Sequence, residues 1–212
     1  MNPKRILITG GTGLVGKRLA AKYAQEDVEV VVLTRSSNNR PITPKLSWQE
    51  WDGCKIPEQP SPIDAIINLA GAGIADRRWT TAYKQEVLQS RLNATHACVE
   101  YIQGLENKPS VFVSMSAVGY YGTRHRNPVD ETGTPSSNDF LATTCRAWEV
   151  AAQDAGIRTV ITRMGIVLAP EGGAFPKLLT PFRYYAGAYL GSGNQGFPWM
   201  HIDDAVSALQ LV

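Results

Sequence analysis

Short β-branched runs alternating with helical stretches predict an α/β fold, a doubly wound parallel sheet with a small C-terminal lobe. Three observations carry this expectation. Ile6 to Ile8 is an apolar run followed by a glycine turn and a helical pattern. Val28 to Leu33 (VEVVVL) is a β-branched run of the kind buried in parallel sheets. After Met164 the texture changes to glycines interleaved with aromatic residues.

The first element organises the rest. In Arg5-Ile-Leu-Ile-Thr-Gly-Gly-Thr-Gly-Leu-Val-Gly16 a strand turns through four glycines into a helix carrying Leu14, Val15, Leu19 and Tyr23 on one side. Strand, glycine turn and helix together form the dinucleotide-binding fingerprint of a Rossmann fold. Gly10 permits the tight turn, Gly13 lets the backbone approach a pyrophosphate, and Gly16 lets the helix pack close to the strand. Thr12, Leu14 and Val15 complete the candidate contacts. The free N–H groups and positive end of the helix dipole then face the phosphates. The triphosphatase phosphate loop is a near match, but it needs Ser or Thr after the lysine to hold magnesium, and Arg18 follows Lys17 here.

The end of the second strand predicts which dinucleotide binds. A site for NAD places Asp or Glu there for the ribose hydroxyls, whereas this chain has Thr34-Arg35. An always-charged, forked guanidinium suits a 2′-phosphate. A hydrogen bond to a charged group contributes roughly 1.5–3 kcal/mol, enough for a tenfold or larger preference for NADP.

The Ser-, Asn- and Pro-rich stretch 36–62 reads as loop, with a weakly signalled strand at Lys45 to Trp48. Asp52 within it reads as an ordinary surface carboxylate, with approach to the adenine as the alternative. Ala65 to Leu69 forms the next strand, and Ala70-Gly71 end it with residues small enough for a cofactor to pass. From Thr80 to about Glu106 the pattern is helical, with Leu88, Leu92, Thr95, Val99 and Ile102 on one stripe. Arg91 lies beside that stripe, placed to turn toward the sheet edge. Ser110 to Ser116 forms a strand ending in Ser116 at the carboxyl edge, where open α/β sheets hold ligands. A helix over about Phe140 to Ala155 and a strand at Thr159 to Thr162 follow. Beyond Met164, loops and short helices form a lobe over the cofactor, its aromatics read mostly as its own core.

Composition sets limits. A chain of 212 residues, 43% hydrophobic, has ample material for a core. A net charge of +2 with mixed signs gives no basis for a nucleic-acid or membrane partner, and no apolar run reaches the roughly 20 residues of a membrane span. The opening strand leaves no room for a targeting peptide. Cys54, Cys98 and Cys145 are odd in number and lack metal-ligand spacing, which suits a reducing, cytoplasmic setting.

The motifs Thr9-Gly-Gly-Thr-Gly-Leu-Val-Gly16, Asn68-Leu-Ala-Gly71, Ser116-Ala-Val-Gly-Tyr-Tyr-Gly122, Arg163-Met-Gly-Ile-Val167 and Trp199-Met-His-Ile-Asp-Asp204 resemble the extended short-chain dehydrogenase/reductases. More narrowly, Ile74-Ala-Asp-Arg-Arg-Trp79, Lys84-Gln-Glu86 with Ser90-Arg91, Pro181-Phe-Arg183 and Gly191-Ser-Gly193 are similar to an atypical branch, the epimerase family proteins. The resemblance covers essentially the whole chain. It implies an NADP-binding domain over 1–163 and the start of a substrate lobe over 164–212, with cofactor contacts at Thr34, Arg35, Leu69, Ala70, Glu86, Arg91 and Val167. Gly71 joins this set as the end of the small-residue strand terminus. The resemblance further implies a chain longer than this one and a monomer or a homodimer packed through the two long helices.

One departure bears on chemistry. Typical members carry Tyr-x-x-x-Lys on the helix after the serine strand, where the lysine lowers the tyrosine pKa for proton exchange. Aligning on Glu149 puts Leu141 and Cys145 at those places, and a shift by one gives Phe140 and Thr144. Neither pair transfers a proton at neutral pH. Ser116 is left as the candidate catalytic hydroxyl, with Tyr120, Tyr121, Asp130 and Lys177 as unselected substitutes for the base. Two functions follow: an NADP-dependent oxidoreductase or epimerase acting on a small polar substrate, or a binding protein that senses NADP(H) without turnover.

Overall fold

The computed structural model describes residues 4–26, 28–38, 40–122, 128–135, 139–189 and 191–212. Its main sheet has six strands in the order β3-β2-β1-β4-β5-β6, all parallel. The strands are β1 (Lys4–Thr9), β2 (Val28–Thr34), β3 (Leu46–Glu50), β4 (Ala65–Asn68), β5 (Val111–Ala117) and β6 (Thr159–Met164). The weakly signalled third strand is real and pairs Val32 with Trp48. This is the doubly wound fold that the alternation of elements predicted.

Each face of the sheet has its own core. On one face Ile6, Ile8, Val30 and Val32 pack against Leu19, Ala20 and Tyr23 of α1 (Leu14–Ala24). On the other, Leu7, Ile66 and Phe112 pack against Cys98 and Ile102 of α2 (Thr81–Gly104) and Ala152 of α3 (Phe140–Gln153). Thr80 and Asp139 start α2 and α3, each side chain accepting a backbone N–H from the third residue on.

The predicted stripe of α2 is correct in its second half only. Thr95, Val99 and Ile102 are buried, but Leu88 and Leu92 are half-buried, and Tyr83 and Val87 take the inner positions of the first turns. The start of the helix packs on the loop before it, where the Tyr83 hydroxyl donates to the Gly73 carbonyl, so its inner side differs from that of the part lying on the sheet.

After β6 the chain forms a small sheet of β8 (Gly172–Gly173), β7 (Ile166–Ala169) and β9 (Trp199–His201), with α4 (Ala174–Arg183) between β8 and β9. Then α5 (Ile202–Leu211) returns to the main body. Its Ala205, Val206 and Leu209 join the α1-side core, and Arg18 on α1 pairs with Asp203 at 3.1 Å. The aromatics of this segment do not form a core. Phe182, Tyr184, Tyr185, Tyr189 and Trp199 are largely exposed, because strands of two to four residues and a ten-residue helix enclose too little volume to cover them. Among the described residues no helix is long and apolar enough to cross a membrane.

The close packing of α1 on the glycine turn after β1 is testable at Gly16. A Cβ there would stand 2.6 Å from Gly11 Cα. Gly16→Ala is expected to lower unfolding stability by about 1–3 kcal/mol. Gly156→Ala, in open space at φ +69°, should cost only about 1 kcal/mol, as read by denaturant unfolding monitored by circular dichroism.

Candidate functional site

The sheet order reverses between β1 and β4, which places a crevice at their carboxyl ends. Gly10 sits there with a left-handed φ of +66°, and a Cβ on it would lie 2.5 Å from the Leu69 carbonyl carbon. Only glycine lets the two chains pass this closely. The Gly13 N–H closes the turn onto the Gly10 carbonyl at 3.0 Å. Gly13 then caps α1 without any side-chain bond to the first-turn N–H groups, and that turn holds no acidic residue. Gly10, Thr12, Gly13, Leu14, Val15 and Gly16 are thereby gathered at one helix end whose donors are free for an anion.

A buried polar chain holds the opposite wall. Thr9 Oγ1 donates to Asn68 Oδ1 at 2.6 Å, and Asn68 Nδ2 donates to Thr95 Oγ1 at 2.9 Å. Asn68 Oδ1 also accepts the Ala70 N–H at 3.3 Å. One side chain therefore ties β1, β4 and α2 together and aims Leu69, Ala70 and Gly71 into the crevice. Its sequence signal was a single amide ending the apolar run AIIN.

Arg91 lies beneath this loop. Its Nη1 donates to the carbonyls of Ala72 and Val87, both at 2.9 Å, and its guanidinium stands 5.1 Å from the Trp148 ring. Burial pulls its pKa below the ordinary arginine value, and it has no carboxylate partner among the described residues. Glu86, a turn nearer the start of α2, is exposed and pairs with Arg77 at 3.2 Å, beside a cavity of about 350 Å³ also lined by Arg78 and Tyr83. Val167 lies on β7 above the helix end, where Gly173 packs against Leu14. Lys177 of α4 donates to the Ala75 carbonyl at 2.9 Å. The segment after β6 thus touches both walls of the crevice.

At the end of β2, Thr34 is buried and bonds its own loop through the Ser36 carbonyl at 3.0 Å. Arg35 is exposed, with no hydrogen-bond or ion-pair partner among the described residues. Asp52 accepts the N–H groups of Cys54 and Lys55, which hold its carboxyl below the usual range. It caps its own turn, in keeping with the surface-carboxylate reading.

Ser116 lies deeper than its predicted role requires. It is 1% exposed, and its Oγ donates to Glu149 Oε1 at 2.5 Å. Arg163 grips the same carboxylate with Nε at 2.9 Å and Nη2 at 2.8 Å, a bidentate pair that raises the arginine's pKa. Its Nη1 also donates to the Tyr121 hydroxyl at 2.8 Å, and its guanidinium stacks 3.6 Å from the Tyr120 ring centre. The one proton of Ser116 is spent on Glu149, so toward a ligand this hydroxyl offers lone pairs rather than a donor.

Leu141 and Cys145 line the turn that follows Ser116, where a Cβ on Gly119 would lie 3.3 Å from Leu141 Cβ and 3.9 Å from Cys145 Sγ. Phe140 instead meets the Trp79 ring at 5.6 Å, and Thr144 is buried. Neither register thus supplies a titratable pair beside the turn: Leu141 and Cys145 line it, and Phe140 and Thr144 pack elsewhere. Three of the four substitutes are engaged elsewhere, Tyr121 with Arg163, Asp130 with Thr132 at 2.7 Å and Lys177 with Ala75, and the Tyr120 ring lies under the Arg163 guanidinium. The Glu149–Arg163 pair escaped sequence reasoning because each half lies inside an otherwise ordinary helix or strand.

Two measurements test this arrangement. Glu149→Ala leaves Arg163 uncompensated against the sheet and is expected to destabilise the fold by about 3 kcal/mol in denaturant unfolding. Cys54 is exposed, whereas Cys98 and Cys145 are buried and their thiol pKa values are raised by desolvation. A disulfide reagent at pH 8 should therefore titrate one thiol per native chain rapidly and the other two only on unfolding.

Comparison with known proteins places these features in context. Residues 6–212 match the model of the NAD dependent epimerase/dehydratase family. An epimerase family protein of Staphylococcus saprophyticus is 40% identical over 209 residues, spanning 97% of this chain and 70% of the relative. One from Staphylococcus aureus is 39% identical over 214 residues, spanning 97% and 69%. Among solved structures, the human epimerase family protein SDR39U1 with NADPH superposes with a TM-score of 0.84 at 34% identity, covering 97% of this chain and 68% of the human one.

Proposed function

The chain belongs to the NAD dependent epimerase/dehydratase family, and from that premise we propose that it binds NADP(H) across the crevice between β1 and β4. It then acts as an oxidoreductase or epimerase on a small polar substrate. The observation that carries the choice of cofactor is Arg35, an exposed and unpaired guanidinium at the end of β2, where an NAD site places a carboxylate. The human relative solved with NADPH supports the same choice.

In this reading Gly10, Thr12, Gly13, Leu14, Val15 and Gly16 hold the pyrophosphate, and Thr34 and Arg35 hold the adenosine end. Leu69, Ala70 and Gly71 line the crevice, with Glu86, Arg91 and Val167 around its farther part. When bound, the nicotinamide supplies or takes up hydride. Ser116, fixed by Glu149, presents its lone pairs to a substrate hydroxyl and orients it. The three cysteines form no disulfide, which suits a reducing, cytoplasmic setting.

A second reading has its own support. The spent proton of Ser116, with Leu141 and Cys145 lining the turn that follows it, favours a protein that takes up NADP(H) and signals that state without turnover. Binding and catalysis separate in one set of measurements. NADPH at a hundred times its dissociation constant should stabilise the chain by about 2.7 kcal/mol, and NADH should do so only at far higher concentration. Arg35→Asp is expected to weaken NADPH at least tenfold and abolish the preference, and an unchanged preference removes the assignment. Oxidation of NADPH by any of a panel of carbonyl compounds or nucleotide sugars, followed by nicotinamide absorbance, selects the enzyme. Stabilisation without oxidation selects the sensor.

A further inference from the structure

The loop from β2 to β3 carries a second arginine that neither the fold nor the motif explains. Arg40 is half-buried, and its guanidinium stacks on Trp48 at 5.4 Å. Its Nε is enclosed and has no hydrogen-bond partner, and no carboxylate pairs with it among the described residues. It is a cation held by an aromatic face, with its charge uncompensated and one donor unspent.

The loop is built to hold it there. Ser37 donates its N–H and hydroxyl to Glu50 Oε1 at 2.8 and 2.9 Å, and the Ser37 carbonyl accepts the Arg40 N–H at 3.3 Å. Trp48 Nε1 donates to the Pro41 carbonyl at 2.7 Å. These bonds fix both ends of the segment and occupy the Glu50 carboxylate on Ser37.

Its position relates it to the glycine turn. Trp48 is paired in register with Val32 and packs on the α1-side core, and a Cβ on Gly11 would collide with the Val32 side chain. Gly11, Val32, Trp48 and Arg40 therefore form one contiguous path on the face of the sheet that α1 covers. With strands about 4.8 Å apart, β3 lies on the order of 10 Å from β1, and the guanidinium stands 5.4 Å from the Trp48 ring on it. Arg35 stands at the near end of the same loop.

We propose that Arg40 is the second arm of a two-arginine clamp, closing with Arg35 on the 2′-phosphate of NADP(H) and setting the selectivity for that cofactor. The proposal rests on the NADP(H) reading above. A phosphate monoester of about two negative charges is the group whose geometry and charge two forked cations match.

The test is the dissociation constants of NADPH and NADH for the full chain and for Arg40→Gln, at low and moderate salt. Arg40→Gln should weaken NADPH at least fivefold, leave NADH within twofold, and flatten the salt dependence of NADPH binding. Arg40→Met keeps the aliphatic stem on Trp48 and must show the same selective loss, so a folding defect in one variant does not decide the matter. Equal weakening of both nucleotides means that Arg40 only braces the loop, and this overturns the clamp. An unchanged NADPH-to-NADH ratio, with NADPH still bound, overturns the clamp and leaves the NADP(H) reading standing. Uptake of neither nucleotide by the unaltered chain overturns both.

Discussion

The contact on which the structure depends is the near-collision of two backbones, Gly10 after β1 and Leu69 after β4. Both chains leave the sheet at the point where the strand order reverses, and a missing Cβ lets them pass. The Thr9–Asn68–Thr95 chain holds the approach from below with buried bonds that water does not reach. Apart from Arg35 and Arg40, the candidate site is arranged around this crossing: the bare end of α1 on one side, Ala70 and Gly71 on the other, Arg91 underneath. A shift of either chain would move all of these together.

The crossing also explains the division of labour along the edge. Toward β2 and β3 two cations have no carboxylate partner among the described residues, Arg35 exposed and Arg40 stacked. Toward β5 and β6 Glu149 and Arg163 are matched, with Ser116 and Tyr121 closed into the same network. Unpaired cations attract a ligand, whereas satisfied networks rigidify what they hold.

The segment after β6 packs against both walls of the crevice and against α1. Gly173 rests on Leu14, Lys177 reaches the loop after β4, and α5 packs back onto α1. Its aromatics stay in solvent because the small sheet has no second layer of its own. Counting aromatics predicts a core only where enough secondary structure exists to enclose them.

The sequence alone determined what depends on neighbours a few residues away. The glycine turn, the six main strands, the two long helices and the basic residue after β2 were all legible, because strand and helix periodicity and turn chemistry are local properties. Tertiary structure alone decided which polar groups meet. Asn68 finds Thr9 and Thr95 across three elements, and Glu149 meets Ser116 from 33 residues away and Arg163 from 14. Arg40 reaches Trp48 only because β3 pairs beside β2. A charged side chain inside a helix or strand looks the same in sequence whether it faces water or a partner. Only the packing of sheet on helix, which removes the water, makes that choice.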